Sequence, residues 1–202
     1  MRKTRTDVAE QGGMERTYRV NDIFYSLQGE GYHAGRAAAF VRFAGCNLRC
    51  AFCDTDFADY RPMTAREIVA AIAAYPARFV VLTGGEPTLQ VDAELTARLH
   101  EAGFYVAMES NGTRRPPTGI DWLTVSPKSP VAVTRCQELK CIFERAEAVD
   151  DHGVEADHRY LQPCDVGDAG RNAAITQACV AYVEAHPEWK LSLQLHKLAG
   201  FK

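Results

Sequence analysis

The chain has no run of about 18 apolar residues, the length that a membrane-spanning helix needs, and its polar, charged first twenty residues contain no apolar stretch of signal-peptide length. A cytoplasmic protein with no membrane contact is expected. An excess of positive charge is also missing. Lys and Arg total 23 against 26 for Asp and Glu, a formal charge of −3, so no global basic field exists to hold nucleic acid. Neither internal repeats nor low-complexity stretches occur, and with 47% hydrophobic and 24% charged residues the composition excludes disordered and fibrous classes. At 202 residues, one core is the default. Residues 1–13 lack periodicity and read as a flexible tail, leaving residues 14–202 as one domain.

What the sequence does have is seven cysteines, an odd number, of which Cys46, Cys50 and Cys53 fall within eight positions. A secreted disulfide framework rarely looks like this. Cys136, Cys141, Cys164 and Cys179 are dispersed in apolar or loop contexts and read as packing residues.

Periodicity places the elements. Arg19–Ser26 and Ala38–Phe43 are rich in β-branched and aromatic residues and read as strands, the second leading into the cysteine cluster. Thr64-Ala-Arg-Glu67 is a capping-box pattern that opens a helix with Ile68, Ala71, Ile72 and Tyr75 on one face, ended by Pro76. The apolar run Phe79–Leu82 suits a strand buried on both faces of a parallel sheet. Asp92 can cap a second helix bearing Leu95, Leu99 and Ala102, with Gly103 placed to end it, and Phe104–Met108 is the next strand. Further strands are expected at Trp122–Val125, Leu139–Phe143, Tyr160–Gln162 and Leu191–Leu195. The link Thr113–Asp121 is Pro-rich and too short for a proper helix, and the last helix carries Ile175, Ala178, Cys179, Tyr182 and Val183. The expectation is an α/β fold, an open, partial TIM-like barrel of about six mainly parallel strands with reduced helices, whose site lies at the carboxyl ends of the strands.

Cys46-Asn-Leu-Arg-Cys50-Ala-Phe-Cys53 presents three thiolates and no obvious fourth. Zinc would have to recruit a distant ligand such as His33 or a remote cysteine to complete four. An iron–sulfur cubane with three protein thiolates keeps one iron open for another ligand. Both readings stand on spacing alone.

The C-x3-C-x2-C loop with an aromatic before its third cysteine resembles the signature of the radical S-adenosylmethionine superfamily. Thr83-Gly-Gly-Glu-Pro87 resembles that superfamily's GGEP motif, where glycine permits close approach of the backbone. Tyr25-Ser-Leu-Gln-Gly-Glu-Gly31, Cys53-Asp-Thr55, Glu109-Ser-Asn-Gly-Thr113, Ser126-Pro-Lys128, Glu138-Leu-Lys140, Leu161-Gln-Pro163 and Leu193-Gln-Leu-His-Lys197 resemble one branch, the 7-carboxy-7-deazaguanine synthases. The chain departs from that branch's pattern at Cys164-Asp165 and at Leu195, where a threonine is expected.

The resemblance implies a radical SAM core and a lyase. It would contract the ring of 6-carboxy-5,6,7,8-tetrahydropterin to 7-carboxy-7-deazaguanine with loss of ammonia, in queuosine or 7-deazapurine biosynthesis. It also implies the cofactors. A [4Fe-4S] cluster would sit on Cys46, Cys50 and Cys53, its open iron binding S-adenosyl-L-methionine, and Mg2+ would sit on the Thr55 oxygen. Phe52, Asp54, Gly85, Ser126, Pro127, Lys128, Gln162, Pro163, Cys164 and Asp165 would line the S-adenosylmethionine site. Leu27, Gln28, Gly29, Glu30, Arg42, Thr83, Glu109 and His196 would meet the substrate. An Arg guanidinium can fork onto a carboxylate, which suits Arg42; a salt-bridged strand residue is its plainer alternative. Glu30 could equally be solvated, Glu109 a turn ligand, and His196 and Lys197 surface residues. A homodimer and an electron donor such as flavodoxin or ferredoxin are implied as partners. Two other functions compete: an activase that makes a glycyl radical on a partner protein, against which the Gln-Gly-Glu-Gly and Gln-x-His-Lys segments argue, and a non-catalytic zinc-binding module.

Overall fold

A computed structural model of the chain describes residues 15–51, 53 and 59–202. The expected tail, together with Phe52, Asp54 and Thr55, lies outside the described residues.

Among the described residues nine strands form one open sheet in the order β3-β1-β2-β4-β5-β6-β7-β8-β9. They are β1 Thr17–Leu27, β2 Ala37–Phe43, β3 Arg61–Thr64, β4 Phe79–Gly84, β5 Tyr105–Ser110, β6 Trp122–Val125, β7 Arg135–Phe143, β8 Glu155–Pro163 and β9 Lys190–Leu191. From β2 to β9 every pairing is parallel, while β1 pairs antiparallel with both β2 and β3. The helices are α1 Ala65–Ala73, α2 Ala93–Glu101, α3 Ala169–Ala185 and the short α4 Leu195–Ala199. Among the described residues no helix is long and apolar enough to cross a membrane.

Local signals in the sequence produce most of these elements. The capping box is present: Glu67 N–H donates to Thr64 Oγ1 at 3.2 Å and Thr64 N–H donates to Glu67 Oε2 at 2.7 Å. Asp92 caps α2 by accepting Leu95 N–H at 3.1 Å, and Gly103 follows the helix at φ 80°, where a left-handed residue ends it.

Four expectations need correction. The sheet has nine strands rather than about six. β3 was not expected because Pro62 reads as a breaker, but at a sheet edge a missing N–H is tolerated. β7 and β8 begin earlier than their apolar cores suggest, since Arg135, Glu155 and Asp157 alternate outward and pair across the two strands. The expected strand Leu191–Leu195 is only Lys190–Leu191, after which the chain leaves the sheet and turns into α4. Ser192 N–H still donates to the Leu161 carbonyl at 2.9 Å, and beyond it the side chains of Ser192 and Gln194 reach Gln162 and Glu30.

The two faces of the sheet differ. Side chains alternate along a strand, so Ala39, Val41, Phe43, Val80, Leu82, Val106 and Met108 pack on the helix side with Ile68, Ile72, Leu95 and Leu99. The other face changes along its length. At the amino ends of the strands it is apolar, with Phe24, Ala38, Phe40, Phe79, Val81 and Ala107 packed together and Trp122 against them. Two residues further along each strand it turns polar: Phe40 gives way to Arg42, Val81 to Thr83, Ala107 to Glu109, Trp122 to Thr124 and Tyr160 to Gln162. Tyr32 stacks on His158 and Trp122 at 4.4 and 4.7 Å, and His33 meets Phe79 at 4.9 Å, so aromatic rings fill the amino end of the bowl.

Candidate active site

The polar ends of the strands enclose a cavity of about 1160 Å3. Of the residues expected in the site, Leu27, Gln28, Gly29, Glu30, Arg42, Cys46, Cys50, Cys53, Thr83, Gly85, Glu109, Ser126, Lys128, Gln162, Pro163, Cys164, Asp165 and His196 all line it. Pro127 is buried and does not. This volume exceeds the ~300 Å3 lower end of small-molecule pockets several-fold, room for a cofactor beside a substrate.

One wall is the cysteine loop. Its path is set by the turn after β4: Glu86 N–H donates to the Gly45 carbonyl at 2.9 Å and Gly85 N–H to the Phe43 carbonyl at 3.0 Å. A Cβ on Gly85 would lie 1.9 Å from Gly45 O, so only glycine lets the two backbones meet. Glu86 has no exposed surface. Its carboxylate accepts Ser110 Oγ–H at 2.8 Å, Asn111 N–H at 2.7 Å and both donors of Thr88, tying the β4 turn to the end of β5. Asn111 then reaches the cysteine loop, its amide donating to Asn47 Oδ1 at 3.0 Å and standing 4.0 Å from Cys46 Sγ.

Among the described residues no three His, Cys, Asp or Glu side chains converge where one ion could be held. Cys46, Cys50 and Cys53 share one cavity wall, and the first and third both act on the thiol of the second; in an iron–sulfur cluster each cysteine serves its own iron. Burial pushes the Cys50 thiol up, with Lys128 opposing. The other four cysteines are buried. Cys164 reaches the cavity at the end of β8, where its thiol faces the Asp165 carbonyl at 3.9 Å.

The opposite wall is a polar network centred on Glu30. Lys140 Nζ donates to Glu30 Oε2, while Gln162 and Gln194 amides both donate to Oε1 at 3.1 Å. Ser192 Oγ–H donates to Gln162 Oε1 at 3.1 Å and accepts Gly31 N–H at 3.0 Å. Burial alone would raise the Glu30 carboxyl, but the charge and hydrogen bond of Lys140, with Gln194, outweigh it and hold it below the ordinary value. Glu30 is therefore a partnered carboxylate with 16% of its side chain exposed, and Gln162 spends its side chain on Glu30 and Ser192. Leu195 N–H donates to the Gly29 carbonyl at 3.0 Å, and a Cβ on Gly29 would meet His196 Nδ1 at 2.8 Å. The carboxyl-terminal segment thus closes the cavity against the loop after β1.

Glu109 sits between the walls. Thr83 Oγ1–H donates to its Oε2 at 3.0 Å and Gln28 Nε2–H to its Oε1 at 2.9 Å. Further round, Lys128 Nζ donates to the Ser126 carbonyl and Oγ at 2.7 Å. Asp165 accepts Lys197, Asn172 and Gly167 donors, which hold its carboxyl well below the usual range.

Glu86, Asn111, Lys140, Ser192 and Gln194 were not assigned site roles from the sequence. A signal for Lys140 existed: lysine among Leu139, Cys141 and Phe143 on a parallel strand is almost never buried unless paired.

A model of the radical SAM superfamily matches residues 40–130. The 7-carboxy-7-deazaguanine synthase of Bacteroides thetaiotaomicron is 50% identical over 186 residues, covering 91% of this chain and 98% of its own length. That of Caulobacter vibrioides is 44% identical over 210 residues, covering 91% and 99%. The crystal structure of QueE from Escherichia coli matches with a TM-score of 0.72 at 30% identity, over 89% of this chain and 95% of that one.

Proposed function

Since the chain belongs to the 7-carboxy-7-deazaguanine synthase family of radical SAM enzymes, we propose that its cavity turns 6-carboxy-5,6,7,8-tetrahydropterin into 7-carboxy-7-deazaguanine and ammonia. The observation that carries this reading is the division of one cavity into two walls, three thiols beside a glycine-only turn on one side and a charged, hydrogen-bonding row on the other. A bound [4Fe-4S] cluster with S-adenosyl-L-methionine supplies the one-electron chemistry that starts the reaction.

The chain's own residues bind and orient. Cys46, Cys50 and Cys53 hold the cluster, leaving an iron for the cofactor. Gly85, Ser126, Lys128, Pro163, Cys164 and Asp165, which line the cavity, would hold S-adenosyl-L-methionine, with Gly85 allowing close approach of the backbone. Gln162 contributes through Glu30, which it helps to fix. Arg42 takes the substrate carboxylate in a forked pair, and Glu109, carried by Thr83 and Gln28, accepts from the aminopyrimidine edge of the ring. Leu27, Gly29, Glu30 and His196 complete that end. Thr55 offers one neutral oxygen to Mg2+, a cation that prefers oxygen ligands and keeps several waters. A flavodoxin or ferredoxin delivers the electron, and the enzyme works as a cytoplasmic homodimer.

Anaerobic incubation with S-adenosyl-L-methionine, a reductant and the carboxypterin, read by mass, tests the proposal. It expects 7-carboxy-7-deazaguanine. Cofactor cleavage without ring contraction would overturn the substrate assignment, and a colourless protein without iron would overturn the cluster.

A further inference from the structure

Lys140 stands among three carboxylates. It projects from the inner face of β7 with 6% of its side chain exposed, paired with Glu30 and 4.0 Å from Glu109 Oε1. Glu138, two residues earlier on the same face, accepts Tyr32 N–H at 3.0 Å. Burial would strip a lone lysine of its proton, but here the charges of Glu30, Glu109 and Glu138 outweigh it and raise the Lys140 ammonium. Lys128, from the loop after β6, His196, from α4, and Tyr160, from β8 beside Glu138, are further charged or titratable groups acting on this cluster.

The two carboxylates nearest the ammonium differ in what remains to them. Glu30 accepts three donors, Gln162 and Gln194 on Oε1 and the Lys140 ammonium on Oε2. Among the described residues Glu109 accepts one hydrogen bond on each oxygen, from Gln28 and from Thr83, and a carboxylate oxygen has room for two. Capacity therefore remains on Glu109, which lines the cavity. Stability alone does not explain the arrangement, because a buried ion pair is on average no better than apolar packing of similar volume.

We propose that Lys140, 4.0 Å from Glu109 Oε1, is a positioning residue for substrate that aims Glu109 so that the site selects a ring edge with adjacent N–H and NH2 donors. The inference rests on the reading that Glu109 meets the substrate. The ammonium acts through Glu30 and Glu109, the two carboxylates it faces. Without it the three carboxylates face one another uncompensated, and the wall takes up a proton as the pH falls. Accepting capacity is then lost at low pH and restored at high pH.

The test is calorimetric binding of 7-carboxy-7-deazaguanine, which carries the same ring edge and needs no turnover, to the reconstituted protein between about pH 6 and about pH 8.5. Wild type is expected to bind with little pH dependence. Lys140→Met weakens binding by about tenfold or more at the acid end, the scale of a charged hydrogen bond, and recovers as the pH rises. Lys140→Arg keeps the flat profile, and Glu109→Gln binds weakly throughout. Should the Met variant not fold, Lys140→Gln carries the same comparison. A loss in Lys140→Met that is equal at every pH, with Glu109→Gln still impaired, overturns the role of Lys140 alone. Unimpaired binding in Glu109→Gln overturns the placement of Glu109 and this inference with it.

Discussion

Gly85 and Gly45 touch through their backbones: the space where a side chain of Gly85 would begin is held by the Gly45 carbonyl oxygen, 1.9 Å from an ideal Cβ, with Cys46 N at 3.0 Å. Both obstacles are backbone atoms, so relief requires moving the cysteine loop. Gly85→Ala is expected to cost about 1–3 kcal/mol, as overpacking does, and to lower the iron retained per chain after anaerobic reconstitution. Thermal melts and iron analysis check this. Wild-type iron content in the variant would show that the two turns move independently.

Serine at Cys46, Cys50 or Cys53 should abolish S-adenosyl-L-methionine cleavage. Cys179 is fully buried on α3, and serine there should cost about 1–3 kcal/mol of stability for burying a hydroxyl while the iron stays. Loss of iron on substituting Cys136 or Cys141 would overturn the ligand assignment.

Arg42 lies on β2 opposite Thr83 of β4 and faces the cavity. Lysine keeps the charge but loses the planar fork. Arg42→Lys should weaken substrate binding about tenfold and leave S-adenosyl-L-methionine binding intact, as separate titrations with each ligand will report. Equal loss of both would make the residue structural.

Turnover should rise with added Mg2+, and Thr55→Ala should blunt that dependence. Rates measured across a magnesium series decide it, and full stimulation in Thr55→Ala would return Thr55 to a loop hydroxyl.

Asp165 gives a pH effect of definite sign. Its carboxyl is held below the ordinary 3.8 by Lys197, Gly167 and Asn172. A carboxyl whose value is depressed on folding adds stability above its unfolded value, and that contribution fades as the pH falls through the folded one. Asp165→Asn should therefore lower the melting temperature at neutral pH, with the gap to wild type closing as the pH drops below about 4. A gap independent of pH would assign the loss to something other than charge.

Much of the site was legible because its parts are short and contiguous. The C-x3-C-x2-C loop, the Gly-Gly turn, the capping box of α1 and Gly103 after α2 each depend on neighbours within a few residues, and periodicity found the apolar strands. Pro62 hid β3, since a breaker is harmless only where an edge leaves its N–H unneeded. Charged alternation hid the starts of β7 and β8.

By itself the sequence determined the chemistry available: three thiols without a fourth, a turn that excludes side chains, an α/β order that sends loops to one end of a parallel sheet. Only the tertiary structure decided which polar residues act together. Glu30 and Lys140 are 110 positions apart, and Glu30 and Gln194 are 164 apart. Their meeting depends on the curl of the sheet and on the chain leaving it after Leu191, which no local pattern encodes. A carboxylate that reads as solvated becomes a part-buried hub once Lys140 of β7, Gln162 of β8 and Gln194 before α4 surround it, because charge in a cavity wall persists only where partners offset the lost water.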